Sequence, residues 1–221
     1  MSTDSAQPAQ PSQPAQPERQ QDVGSASRAL SFSQLVFSDV AGLRPGSRGS
    51  WLGVLVRLPF VPGVIASILL RAQQCLFRSG HPRLAEGLRS LGNVLIGADF
   101  GAGMEVGPGL RLMHPVGVTM GYGARIGSDV TLASGVVLAA KYYDDSHGRE
   151  QQFPTIEDGA VIGAHAVLVG GVTVGRNATV GANSVVLSDV PPDTVVLGNP
   201  ARRVGMRDSA PAATAAKPAD K

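Results

Sequence analysis

At 221 residues and a formal net charge of +2, the chain has room for one domain or two small ones and too little positive charge to argue for nucleic acid. Its 28 glycines and 5% aromatics point to a core of small aliphatic side chains. A single cysteine, Cys75, excludes an internal disulfide framework and fits a reducing, cytoplasmic setting.

Residues 1–27 are rich in Pro, Gln, Ser and Ala, cannot bury enough surface to fold, and include no signal peptide. Residues 28–95 read as a small helical domain, with helices expected over 31–40, about 64–78 and 82–91. Cys75, in an apolar helical stretch, is expected to be buried packing rather than a nucleophile. The apolar stretch 51–77 is interrupted by Arg57 and Arg71, and Pro59 and Pro62 should break any helix. Its charge-free run extends only from Leu58 to Leu70, short of the roughly 20 residues that a transmembrane helix needs. A docking helix is the plain reading, and peripheral contact with a membrane surface is the alternative.

From 96 to 206 the sequence changes style. Aliphatic residues recur in steps of six: Val106 and Leu112, then Met120, Ile126, Leu132 and Leu138, then Ile156, Ile162, Leu168, Val174, Val180 and Val186. Glycine follows many of them directly, as at Ile126-Gly127, Ile162-Gly163 and Val180-Gly181. Six is neither a helical period nor a simple strand alternation; it is one short strand plus one tight turn. Three such units close a triangular coil, and stacked coils bury the aliphatic column, which predicts a left-handed parallel β-helix capped by the small N-terminal helical domain. Residues 207–221 return to the composition of the first tail.

The register fails twice. From Leu112 to Met120 the step is eight, so two residues bulge from a corner at His114; from Leu138 to Ile156 it is 18, so a loop leaves at Ala139 and returns near Pro154. Departures from a regular scaffold are where function is commonly placed. Leu112, Leu132, Ile162 and Val180 fall on one face, so His114, Ser134, Ala164 and Ala182, two residues beyond each, are expected to stack along one corner. Three steps of about 4.8 Å span roughly 14 Å, about the length of a pantetheine arm. Asp99, somewhat less than one coil before His114, is expected to approach the imidazole and fix its tautomer.

At these residues the chain resembles the serine acetyltransferases within the hexapeptide acyltransferases. GPGLRLMHPVGVTMGYGARIGSDVTL is similar to that family's segment around its catalytic histidine, and VGANSVVLSDVPPDTVVLGNPARRVG to the terminal coil of many hexapeptide acetyltransferases. The resemblance covers about residues 64–205. It implies acetyl-CoA as co-substrate and no metal, with His114 as base and Asp99 paired to it. It also implies backbone contacts from Ala164 and Ala182 to CoA, Arg202 near the CoA nucleotide, and a homotrimer or a dimer of trimers; Arg203, beside Arg202, could also meet phosphate.

Three positions depart from the family. Met113 stands where it has aspartate, and Gln152-Phe153 where it has Arg-His before the proline. Those family residues recognise the ammonium and carboxylate of serine, so the expectation is a different hydroxyl acceptor, a sugar or polysaccharide precursor, with serine O-acetylation of cysteine biosynthesis as the alternative. Met113, Ser134, His147, Gln152 and Phe153 are candidates to line the acceptor site. His147, in the loop 141–147, is a rival base, while His81 and His165 read as structural. Two other classes carry this fold. Zinc-dependent γ-type carbonic anhydrases need a pair of histidines five apart, which this chain lacks; a non-catalytic assembly protein would not need Asp99 and His114.

Overall fold

The computed structural model describes residues 30–43, 51–57, 61–145 and 148–207. Apart from Arg207, which bonds Asp193 O, Gly159 O and Asn177 O, both terminal stretches read as unfolded from composition lie outside the described residues, as does His147.

The six-residue period becomes a spiral with three flat faces of parallel strands, mostly two or three residues long. The first face stacks the strands starting at Asp99, Thr119, Val137, Val167 and Val185; the second, those at Glu105, Arg125, Thr155 and Thr173; the third, those at Arg111, Thr131, Val161, Thr179 and Thr194. Within each two-residue strand the second residue points inward. All twelve aliphatics of the column from Val106 to Val186 are at most 1% exposed. The residue two places earlier is also buried at each turn, from Leu110 and Ala124 to Ala178 and Ser184. Small side chains there let three faces meet without voids.

Cα register locates both interruptions. Asp99 pairs with Thr119, Glu105 with Arg125 and Arg111 with Thr131, whereas Thr119 pairs with Val137, a step shorter by two positions. The two extra residues therefore lie between Leu112 and Thr119. Arg125 pairs with Thr155 and Val137 with Val167, steps far longer than one coil, so a segment leaves the spiral between Val137 and Thr155. It forms an antiparallel hairpin, Lys141–Asp145 with Gly148–Gln152.

Four helices precede the spiral: α1 (Phe32–Leu43), α2 (Trp51–Arg57), α3 (Pro62–Arg78) and α4 (Pro82–Ile96). Pro62 begins α3 rather than breaking a helix, because the first turn needs no donor from its nitrogen. At its far end α4 stops on Gly97, left-handed at φ 64°, whose N–H bonds Asn93 O at 3.0 Å. Two further expectations need correction. Cys75 is exposed, since the buried positions of α3 are taken by Val64, Ala66, Ser67, Leu70, Arg71, Gln73 and Gln74. The helix α2 falls where only an apolar stretch was read.

The buried row of α3 closes the open end of the first coil with polar groups. Arg71 donates to Val106 O (2.8 Å) and Gly107 O (2.6 Å), and its other donors meet both carboxylate oxygens of Asp39 at 2.9 Å. Asp39 also accepts from Leu110 N, and Gln73 and Gln74 donate to Phe100 O and Met104 O. Carbonyls that a further coil would have bonded thus find side-chain donors instead. The opposite end is covered by the chain itself: Arg202–Met206 runs antiparallel to Thr194–Leu197, and Ala201 N bonds Val185 O.

Candidate active site

The third face brings Leu112, Leu132, Ile162, Val180 and Val196 into one register, as the hexapeptide spacing requires. The corner that follows is where the expected column lies, and three of its members stack there. His165 N bonds Ser134 O and Asn183 N bonds Ala164 O, both at 2.8 Å, so Ser134, Ala164 and Ala182 are successive rungs. Close approach is enforced by glycine: a Cβ on Gly163 would lie 2.5 Å from Ala182 N. The rungs along this corner therefore carry small side chains, Ser134, Ala164 and Ala182.

His114 is not the rung beneath Ser134. Gly135 N bonds Val116 O at 3.0 Å, so Val116 holds that place and His114 is displaced into the two-residue bulge. Counting forward from Leu112 reaches His114; counting back from Val118 reaches Val116, and spacing alone cannot choose between them. His114 takes a left-handed backbone, φ 57°, and its side chain is exposed, outside the aliphatic interior. A histidine tolerates that conformation better than a bulky or branched residue. Met113 and Val116 beside it are 51% and 63% exposed.

Asp99 flanks the same corner. Gly117 N bonds Gly97 O at 2.7 Å, so Asp99, two residues past Gly97, and His114, three before Gly117, belong to successive turns on either side of that bond. The expected hydrogen bond between them is not formed: Asp99 is held by Arg89, Nε to Oδ1 at 2.5 Å and Nη2 to Oδ2 at 3.0 Å. Arg89 sits at the middle of α4, which packs against the first strand. Its hydrogen bonds hold the Asp99 carboxyl below the usual carboxylate range, so Asp99 is an anion beside the histidine corner.

His165, read as structural, lies on this corner too. Left-handed residues recur along it at Gly117, Gly135, His165 and Asn183. The exposed His165 ring covers Gly135, where any Cβ would collide with it. A signal was present in the sequence, since an imidazole takes a position that the coils before it give to glycine.

The other candidates gather at a different corner, between the first and second faces. Phe153 does not face His114; it covers Gly121 and Gly123, where any Cβ would strike its ring, and meets Tyr122 at 4.9 Å between centroids. Gln152 lies over Gly171 at the base of the hairpin. With Lys141, Leu187, Ser188 and Asp189 it borders a cleft of about 410 Å³. At the C-terminal end Arg202 and Arg203 are exposed, with Ala201 O and Met206 S as their partners, and neither meets a carboxylate among the described residues.

A six-residue period on three parallel faces, ended by an antiparallel strand, defines a hexapeptide-repeat protein of the left-handed parallel β-helix class. Residues 153–188 match the family model described as bacterial transferase hexapeptide, six repeats. A serine acetyltransferase of Helicobacter pylori is 32% identical over 162 residues, 72% of this chain and 89% of its own length. Serine acetyltransferase 4 of Arabidopsis thaliana is 36% identical over 148 residues, 66% of this chain; the chain spans 40% of that longer relative. The solved structure of a Brucella abortus serine acetyltransferase in complex with coenzyme A superposes with a TM-score of 0.68 at 27% identity, covering 80% of this chain and 69% of that one. The chain belongs to the serine acetyltransferase-like branch of the hexapeptide-repeat acyltransferases.

Proposed function

We propose that the chain is an acetyl-CoA-dependent O-acetyltransferase with His114 as general base. The observation that carries this is an exposed histidine at the head of a row of Ser134, Ala164 and Ala182, with the exposed Arg202 and Arg203 beyond its far end. The pantetheine arm lies along that corner, with the backbone of Ala164 and Ala182 on its amides. Arg202 and Arg203 meet the phosphates of the nucleotide.

His114 takes the proton of the acceptor hydroxyl as its oxygen bonds to the thioester carbon. The carbon–sulfur bond then breaks and the thiolate recovers that proton from the imidazolium, leaving as CoA thiol. Asp99, kept ionised by Arg89, stabilises the imidazolium through its field rather than through the direct bond expected from sequence. Gln152, Phe153 and the hairpin lie on another corner of the same chain, so they join His114 only across a boundary between copies. This favours a homotrimer with its sites between subunits.

The relatives' names favour L-serine as acceptor. A second reading, an uncharged hydroxyl such as that of a sugar, is favoured by Met113, an exposed thioether beside the base where a zwitterion would need a charged partner. CoA release measured with L-serine and with a panel of sugar hydroxyls separates the two. In either case His114→Ala should lower turnover by about 10²–10⁴-fold with acetyl-CoA affinity retained. Full turnover by His114→Ala with loss in His147→Ala would overturn the assignment of the base.

A further inference from the structure

The helix α2, Trp51–Arg57, is apolar almost all round. Val54 is buried at 3% exposure, yet Trp51, Leu52, Leu55 and Val56 are 50–72% exposed. Trp51 is anchored rather than loose: it stacks on Phe32 of α1 at 6.3 Å and meets Phe37 edge-on at 5.2 Å, so the patch is held on the helical domain. An apolar surface helix of this kind is normally covered by something.

Charge indicates what covers it. Between Val40 and Ala85 the chain has six arginines and no aspartate, glutamate or lysine. Asp39, the acid just before this stretch, is buried and spent on Arg71. Arg57, in the last turn of α2, bonds Gly53 O, and exposed Arg83 opens α4. A second copy of this chain would set Arg57 and Arg83 against the same arginines, with no carboxylate from residues 41–84 to balance them. A bilayer of anionic lipids offers hydrocarbon for the leucines and negative headgroups for the arginines, with the Trp51 ring at the level between them. No helix among the described residues is long and apolar enough to cross a membrane, so contact would be with the surface.

We infer that Trp51, Leu52, Leu55 and Val56 of α2 form a docking surface for an anionic membrane. This is independent of the acetyl-transfer reading and uses none of its residues.

Trp51 is the only tryptophan, so its emission in the full-length protein reports on α2 directly. Phosphatidylglycerol-containing vesicles should shift that emission to the blue, allow quenching by lipids with quencher-bearing chains, and float with the protein at low salt, with release at high salt. Vesicles of phosphatidylcholine alone should do none of these. Leu52→Ser combined with Leu55→Ser should weaken vesicle binding by about tenfold or more while the thermal transition and CoA release stay unchanged; emission and quenching of the unmodified protein decide the matter should that variant fold poorly. Unchanged emission with anionic vesicles overturns the inference. Equal binding to phosphatidylcholine would do so as well, and so would a blue shift that rises with protein concentration in the absence of lipid, which would give the patch to a second copy.

Discussion

At the scale of single residues the proposed chemistry rests on two side chains that regular spacing places only approximately. His114 was legible as the residue inside an eight-residue step, but its position on the corner was not. A bulge can be counted from either end, and the Gly135–Val116 bond settles it in favour of Val116 as the rung. Asp99 was read as the partner of the histidine, whereas the side chain that holds it is Arg89, which reaches it from a helix, and no local pattern marks such a pair. The pair has a pH signature. Because Arg89 depresses the Asp99 pKa, the stabilisation is full above the unfolded value near 4 and is lost as pH falls through the lower folded value. The difference in Tm between the wild type and Asp99→Asn should therefore narrow as melting is followed from pH 7 into the acid range below about 4. A gap that stayed constant through that range would mean the ion pair contributes nothing.

At the scale of elements the inward aliphatic column was readable in full, but the hairpin of residues 141–152 and the antiparallel closing strand Arg202–Met206 were not, and the helices only in part. Each inward aliphatic is one of a dozen in register, so the pattern overrides weak local preference, and short strands need no propensity of their own. In contrast, α2 has seven residues, a glycine at its third position and apolar side chains on nearly every side, so neither period nor caps announce it. The capping role of the helical domain was expected, but the contact that makes it was hidden, because Arg71 looked like an interruption of an apolar run. It is instead the contact that joins three elements: α3, Asp39 of α1 and the carbonyls of the first coil. Arg71→Ala would leave the Asp39 carboxylate buried without its partner, which typically costs about 3–5 kcal/mol. Chemical denaturation should show that loss, with the helical domain separating from the spiral as a distinct early transition. A single transition at the wild-type midpoint would contradict it.

At the scale of the whole molecule, a spiral of stacked coils has two ends, and each exposes strand edges able to recruit another chain. Helix α3 closes one end; the segment from Gly198 onward closes the other, with Gly198 O accepting from Val185 N, Ala201 N bonding Val185 O, and Arg207 N bonding Asp193 O. Deleting the chain from Asn199 should turn a monodisperse protein into one whose light scattering grows with time and concentration, as bare edges add to one another. A truncated protein that stayed monodisperse would assign the terminal strand to ligand binding alone.

If Arg202 and Arg203 hold the nucleotide as proposed, that closing segment is also a ruler. Arg202 and Arg203 sit on the strand that ends the stack, so the number of rungs sets their distance from the bulge at His114. One coil more would move them about 4.8 Å further off, beyond the reach of an arm of fixed length. Insertion of a whole repeat should therefore leave the architecture intact and abolish the grip on both ends of the carrier at once.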